Sequence, residues 1–192
     1  TWVTGVQTCA LPIWISEAHF TNSSGYGYGD IGRDSLDAVY ARVFNTESAL
    51  VRPHFVNGTH ALGAALFGNL RPGNTMLSVC GEPYDTLHDV IGITENSNMG
   101  SLKEFGINYK QVDLKEDGKP NLEEIEKVIR EDESITLVHI QRSTGYGWRR
   151  ALLIEDIKSI VDCVKNIRKD IICFVDNCYG EFMDTKEPTD VG

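Results

Sequence analysis

Four short runs carry polar residues of types suited to a flat, anionic ligand. Asn57-Gly58-Thr59-His60 stands between an apolar run and a helix of small residues. Free N–H groups at such a helix start favour a phosphate, Gly58 lets the anion approach the backbone, and Thr59 adds a hydroxyl donor. The same residues also read as a plain turn with a cap, and His60 as a structural hydrogen-bonder. Asp176 follows the apolar run at 171–175. A carboxylate leaving a buried strand is costly without a cation or donors beside it. A protonated pyridine nitrogen would serve, and would stay able to accept electrons from a carbanion. A metal, a nucleotide ribose or a helix start would serve as well. Tyr84, in Glu82-Pro83-Tyr84-Asp85, can stack on a flat ring or fill the core. Gln141-Arg142-Ser143 ends a further apolar run and offers donors to a phenolic oxygen, or forms an ordinary surface terminus.

Such residues meet only if strands deliver them to one edge. The alternation of helical and strand patterns predicts an α/β fold with a mostly parallel sheet and flanking helices. Ligands in such folds collect at the carboxyl ends of strands. Asp34 or Ser35 is expected to cap a helix with Leu36, Val39, Tyr40, Val43 and Phe44 on one stripe. Residues 49–55 read as a strand-like run before the 57–60 turn. Strands are expected at 75–80, 107–114, 135–140 and 171–175. Helices are expected at 83–93, behind Asn121 with its capping partner Glu124, and along Leu153, Ile157, Ile160, Val161, Val164 and Ile167. No repeat, linker or clear domain boundary interrupts the pattern.

The 192 residues carry a net charge of −10. That argues against nucleic acid, whose phosphates need clustered Lys and Arg. No run approaches the roughly 20 apolar residues of a membrane span. Cys80, Cys163, Cys173 and Cys178 form no C-x-x-C pair. Free thiols in a reducing cytoplasm are expected, and no metal site.

Three runs occur in order that together resemble the methionine gamma-lyase family, whose members are also known as aluminium-resistance proteins: Gly25-Tyr-Gly-Tyr-Gly-Asp-Ile-Gly-Arg33-Asp34, Ala49-Leu-Val-Arg-Pro53 leading to Asn57-Gly-Thr-His-Ala61, and Val175-Asp-Asn-Cys-Tyr-Gly-Glu181. The likeness extends from about Phe20 to the last residue. It implies a large domain of the fold-type I kind, binding pyridoxal 5'-phosphate (PLP), in a carbon–sulfur lyase of the Cys/Met metabolism type. By that resemblance Gly58, Thr59 and His60 form a phosphate cup and Tyr84 stacks on the ring. Asp176 pairs with the pyridine nitrogen, and Gln141 or Arg142 faces the ring hydroxyl. Tyr28 and Arg33 match a segment that in related lyases reaches a neighbouring subunit's phosphate site, although Tyr-Gly-Asp-Ile-Gly-Arg is longer than the Tyr-x-Arg of better-known relatives. The implied partners are a small amino-acid substrate and a second copy of the chain, in a homo-oligomer with shared sites.

Val3 to Ile13, VTGVQTCALPI, is similar to the translation of a sequencing-library adaptor, so residues 1–14 are expected to be non-native. An N-terminal arm and first helix are expected over 15–47, and part of the cofactor-binding domain over 48–192. The family's Schiff-base lysine is expected beyond Gly192, which would leave this chain inactive by itself; Lys186 has neither the strand nor the small-residue context for that role. The implied seven-stranded sheet would leave an apolar sheet edge exposed. Two other readings stay open. A Rossmann-like nucleotide binder would want a G-x-G-x-x-G run where Gly58 stands alone, and a non-catalytic interaction module would want no such lysine downstream.

Overall fold

The computed structural model describes residues 15–24, 26–94 and 100–192. The adaptor-like residues 1–14, and Gly25 of the glycine–tyrosine run, lie outside them. Where the sequence shows no boundary, the chain divides into two compact units, one ending at Phe55 and one starting at Val56.

In the first unit, a 3-10 turn at Glu17–Phe20 precedes helix α1, Ile31–Val43. The cap is Asp30, whose Oδ1 accepts from the Arg33 N–H at 3.0 Å, so the helix begins upstream of the expected Asp34 or Ser35. Asp34 instead sits in the first turn, where the helix dipole favours an acid. Residues 49–55 form no strand. Asp37 of α1 holds this run as a strap, accepting from the Val51 N–H at 2.8 Å and from Arg52 Nη1 at 2.7 Å, and Pro53 has no N–H to give a ladder.

In the second unit, strands β1 (Thr75–Ser78), β2 (Asn108–Gln111), β3 (Ile135–Gln141) and β4 (Ile172–Asp176) pair in the order β2-β1-β3-β4, every pair parallel. The α-helices among its described residues are α2 (Gly58–Asn69), α3 (Asp85–Ile91), α4 (Leu122–Glu131) and α5 (Ile154–Ile167). Strands β1 and β3 are covered on both faces, which is why TMLS and ITLVHIQ read as nearly unbroken buried runs. Leu77, Val138 and Ile140 face Ile125 and Ile129 of α4 and Ile157, Ile160 and Val164 of α5. Met76 and Leu137 face the opposite way, onto Leu66 of α2 and Leu87 and Ile91 of α3. Each buried Leu or Ile contributes roughly 1.5–3 kcal/mol, so the two layers fix the sheet between them. Helix α3 is shorter than expected because Gly92, at φ 93°, ends it in the left-handed conformation. Strand β4 forms where the apolar run predicts a strand, and it lies at the sheet edge with Ile172 36% exposed. No helix among the described residues is long and apolar enough to cross a membrane.

His139 lies within this frame fully buried, its ring stacked on Phe174 at 5.9 Å. Neither ring nitrogen has a hydrogen-bond partner among the described residues. Burial pushes its pKa down from 6.5 to about 4, so the folded chain keeps the ring neutral. Below about pH 6.5 the unfolded chain takes up a proton that the folded chain refuses, and stability falls as pH drops towards 4. His139→Leu should gain about 1 kcal/mol at pH 7 in urea denaturation, because it removes two unmet polar atoms at similar volume. It should also flatten the decline between pH 6.5 and 4; parallel pH curves for the two proteins would contradict this account.

Candidate functional site

Parallel pairing sets Gln141 opposite Asp176 at the carboxyl ends of β3 and β4. The Gln141 side chain reaches across the edge, its Oε1 accepting from the Tyr84 N–H at 2.7 Å and its Nε2 donating to the Ser143 carbonyl at 3.2 Å. Tyr84 is the N-cap of α3. Two residues on, the Thr86 hydroxyl lies 2.6 Å from that of Thr59 in the first turn of α2. Asn57 caps α2, its side chain accepting from the His60 N–H at 2.8 Å, and the His60 ring accepts from the Val56 N–H at 3.3 Å. One run of contacts thus joins Gly58, Thr59, Tyr84, Gln141 and Asp176 along a single sheet edge. A Cβ built on Gly58 meets nothing within 4 Å, so the α2 start is open to a ligand.

Asp176 is only 8% exposed. Its Oδ1 accepts from the Cys178 N–H at 3.0 Å, and it forms no ion pair with any cation among the described residues. Burial raises its pKa above the usual 3.8 against that hydrogen bond, with the nearby Glu181 charge adding to the rise. A cationic ring nitrogen at this carboxylate would offset the burial. The donor set therefore fits PLP: amides and a hydroxyl at one end, an aromatic face and an amide between, and an uncompensated acid at the other.

Arg142 is turned elsewhere. It is 5% exposed, and Nη1 donates to Asn177 Oδ1 at 3.0 Å and to the Gly180 carbonyl at 2.7 Å, while Nη2 meets Asp184 Oδ2 at 2.5 Å. Buried Glu187 grips the same loop, accepting from Asn177 Nδ2 at 3.0 Å and from the Phe182 N–H at 2.6 Å. Of the two candidates for the ring hydroxyl, the strand end keeps Gln141 beside Tyr84 and commits Arg142 to the loop after Asp176, because successive residues of a strand point to opposite sides. The first unit holds Tyr28, 90% exposed, and Arg33, whose Nε lies 3.9 Å from Asp30 Oδ2.

Sequence reasoning missed Thr86, Tyr146 and Glu187. Thr86 sits two residues past Tyr84, a spacing that a helix-start reading could have used. Tyr146 stacks on Tyr84 at 5.4 Å with the hydroxyls 3.3 Å apart, a contact that raises the Tyr84 pKa to about 12. It comes from a loop with no periodicity to announce it.

The family model described as methionine gamma-lyase matches residues 12–192. The chain is similar to the crystal structure of a carbon–sulfur lyase involved in aluminium resistance from Clostridium novyi NT, with 93% identity and a TM-score of 0.93, over 97% of this chain and 44% of that one. It is 49% identical to protein YnbB of Bacillus subtilis strain 168, over 93% of this chain and 42% of that protein. The chain therefore spans less than half the length of these relatives. A likeness at 17% identity to the pyridoxal-5'-phosphate-dependent protein YhfS of Escherichia coli, TM-score 0.61 over 83% of this chain and 37% of that one, shows a common fold.

The packing around Arg142 leaves no room beside Gly180, where a Cβ would lie 2.6 Å from Arg142 Cδ, Arg142 Nη1 and Asn177 Oδ1. Gly180→Ala should cost about 1–3 kcal/mol in urea denaturation. Gly68→Ala, in open space on α2, should instead gain about 0.5–1 kcal/mol. A neutral Gly180→Ala would mean that the Arg142 clamp is slack.

Proposed function

The chain belongs to the methionine gamma-lyase family, and on that premise we propose that its sheet edge holds PLP in a carbon–sulfur lyase that eliminates a β- or γ-substituent from an amino acid. The observation that carries this reading is Asp176: a buried carboxylate with no cationic partner among the described residues, at the same edge as the open start of α2. Bound there, PLP supplies an electron sink for the carbanion left when the substrate loses its α-proton.

The chain's own residues have separate tasks. The N–H groups of Gly58 and Thr59 and the Thr59 hydroxyl take the phosphate, with His60 beside them holding its own N–H on the Asn57 cap. Tyr84 lies against the ring, and Gln141 offers its amide to the ring hydroxyl. Asp176 holds the proton on the pyridine nitrogen, so that the ring stays positive. Arg142 serves the site indirectly, fixing the loop that follows Asp176. The enzyme acts as a homo-oligomer in which Tyr28 and Arg33 serve a neighbouring copy's phosphate. The support for a second copy is that α1 buries none of its residues and that Tyr26 and Tyr28 stand 82% and 90% exposed. A cytoplasmic setting suits the free thiols of Cys80, Cys163, Cys173 and Cys178.

Pyridoxamine phosphate tests the site without any covalent link. Equilibrium dialysis against this chain should give saturable binding, and Asp176→Asn should weaken it about tenfold or more, since an amide cannot hold a pyridinium proton. Affinity should fall as pH drops through the raised Asp176 pKa, at higher pH than for an ordinary carboxylate. Wild-type protein that does not bind, or an Asp176→Asn variant that binds equally well, would end the reading.

A further inference from the structure

The loop that joins β3 to α5 packs against the two residues that the proposed function sets beside the ring. Thr144 to Gly147 make a tight turn, closed by the Gly147 N–H donating to the Thr144 carbonyl at 3.1 Å. Gly145 sits in it at φ 58°, a left-handed angle that glycine adopts readily. A Cβ built there would lie 3.2 Å from Tyr84 Cδ2 and 3.3 Å from Gln141 Nε2, so the loop backbone rests directly on both side chains. The next residue, Tyr146, lays its ring on Tyr84 with centroids 5.4 Å apart and planes 29° from parallel.

Tyr146 itself is 80% exposed, so its place depends on what holds the loop. Arg149 Nη2 donates to the carbonyls of Gln141, at 3.0 Å, and Ser143. Gln141 Nε2 donates to the Ser143 carbonyl at 3.2 Å, and the Leu152 N–H donates to the Arg142 carbonyl at 3.0 Å. Both sides of the loop are thereby tied to the end of β3, with Tyr146 between them. A ring has two faces. Tyr146 covers one face of Tyr84, and no second ring among the described residues covers the other. Ordering a mobile side chain at the moment of binding costs affinity, and a side chain fixed beforehand avoids that cost.

We propose that Tyr146 is a positioning residue: it backs Tyr84 on one face and so fixes the other face in the plane on which a heteroaromatic ring stacks. The proposal rests on the proposed function for the identity of that ring. A placeholder would instead occupy the ligand's own position and leave as the ligand arrives; a loop tied on both sides makes a fixed wall. The hydroxyl contact between the two tyrosines, 3.3 Å long and exposed, is weak for an O–H···O bond, so the ring of Tyr146 does the positioning.

Equilibrium dialysis of the chain against pyridoxamine phosphate and, separately, inorganic phosphate tests this. Tyr146→Ala should weaken pyridoxamine phosphate binding about three- to tenfold. It should leave inorganic phosphate, which needs only the start of α2, unchanged. Tyr146→Phe keeps the stack and should restore affinity to within about twofold of wild type. In a Tyr84→Leu background, Tyr146→Ala should have no further effect, because the route through Tyr84 is gone. General damage to the fold would instead lower both affinities and persist in that background. Unaltered or tighter pyridoxamine phosphate binding by Tyr146→Ala overturns the proposal, the tighter result marking a placeholder. Equal losses for the two ligands, a Tyr146→Phe variant as weak as Tyr146→Ala, or an undiminished effect in Tyr84→Leu overturns it as well. Wild-type protein that does not take up pyridoxamine phosphate removes the ring ligand and the positioning role together, whereas wild-type binding that Tyr146→Ala leaves untouched removes the role alone.

Discussion

A carboxylate at the end of a buried strand needs positive charge close by, and Asp176 finds none among the described residues of its own chain. The neighbouring structure follows from that tension. The register of β3 and β4 sets the acid beside Gln141, Gln141 ties the start of α3 to the same edge, and Thr86 ties α3 to the start of α2. Four elements are drawn to one line by two hydrogen bonds and a strand pairing. The chemistry of the edge is then a matter of complement: amide donors at one end and an unmatched acid at the other.

The loop after β4 is held as firmly as the strand before it. Arg142 and Glu187 are both buried, and each spends its charge on that loop and its flanks. Removing a partner from so enclosed a network leaves a charge without compensation, which is why such groups tolerate little change. Tyr179 and Phe182 sit there at φ 66° and 60°, backbone angles that non-glycine residues adopt at a cost. The loop is over-determined from within, and its fixed shape keeps the Cys178 N–H against Asp176.

Much of the frame was legible because its signals are local. Asn57 precedes a helix and caps it, and the stripe of Ile157, Ile160 and Val164 repeats at helical spacing and packs as expected. Asp176 could be singled out because an acid ends an apolar run. What stayed hidden depends on partners far along the chain. Gln141 and Arg142 are adjacent donors, and only the sheet decides which of them faces Tyr84. Asp30 and Asp34 are both good caps, and Arg33 settled the choice by offering its N–H to the first. The run at 49–55 has the apolarity of a strand but is taken by Asp37 instead. Tyr146 and Arg149 lie in a loop, where no period exists to read.

The all-parallel pairing of the four strands has a kinetic side. Antiparallel neighbours can form by closing a hairpin of a few residues, whereas each pairing here joins strands separated by a crossover. The central contact, β1 with β3, bridges Thr75 and Ile135 and skips over the intervening β2. The chain must lose the entropy of large loops before the sheet rewards it, so assembly belongs among the slower folding topologies. Strand edges that wait for such long-range pairing are exposed during folding, and self-association competes with folding while they are.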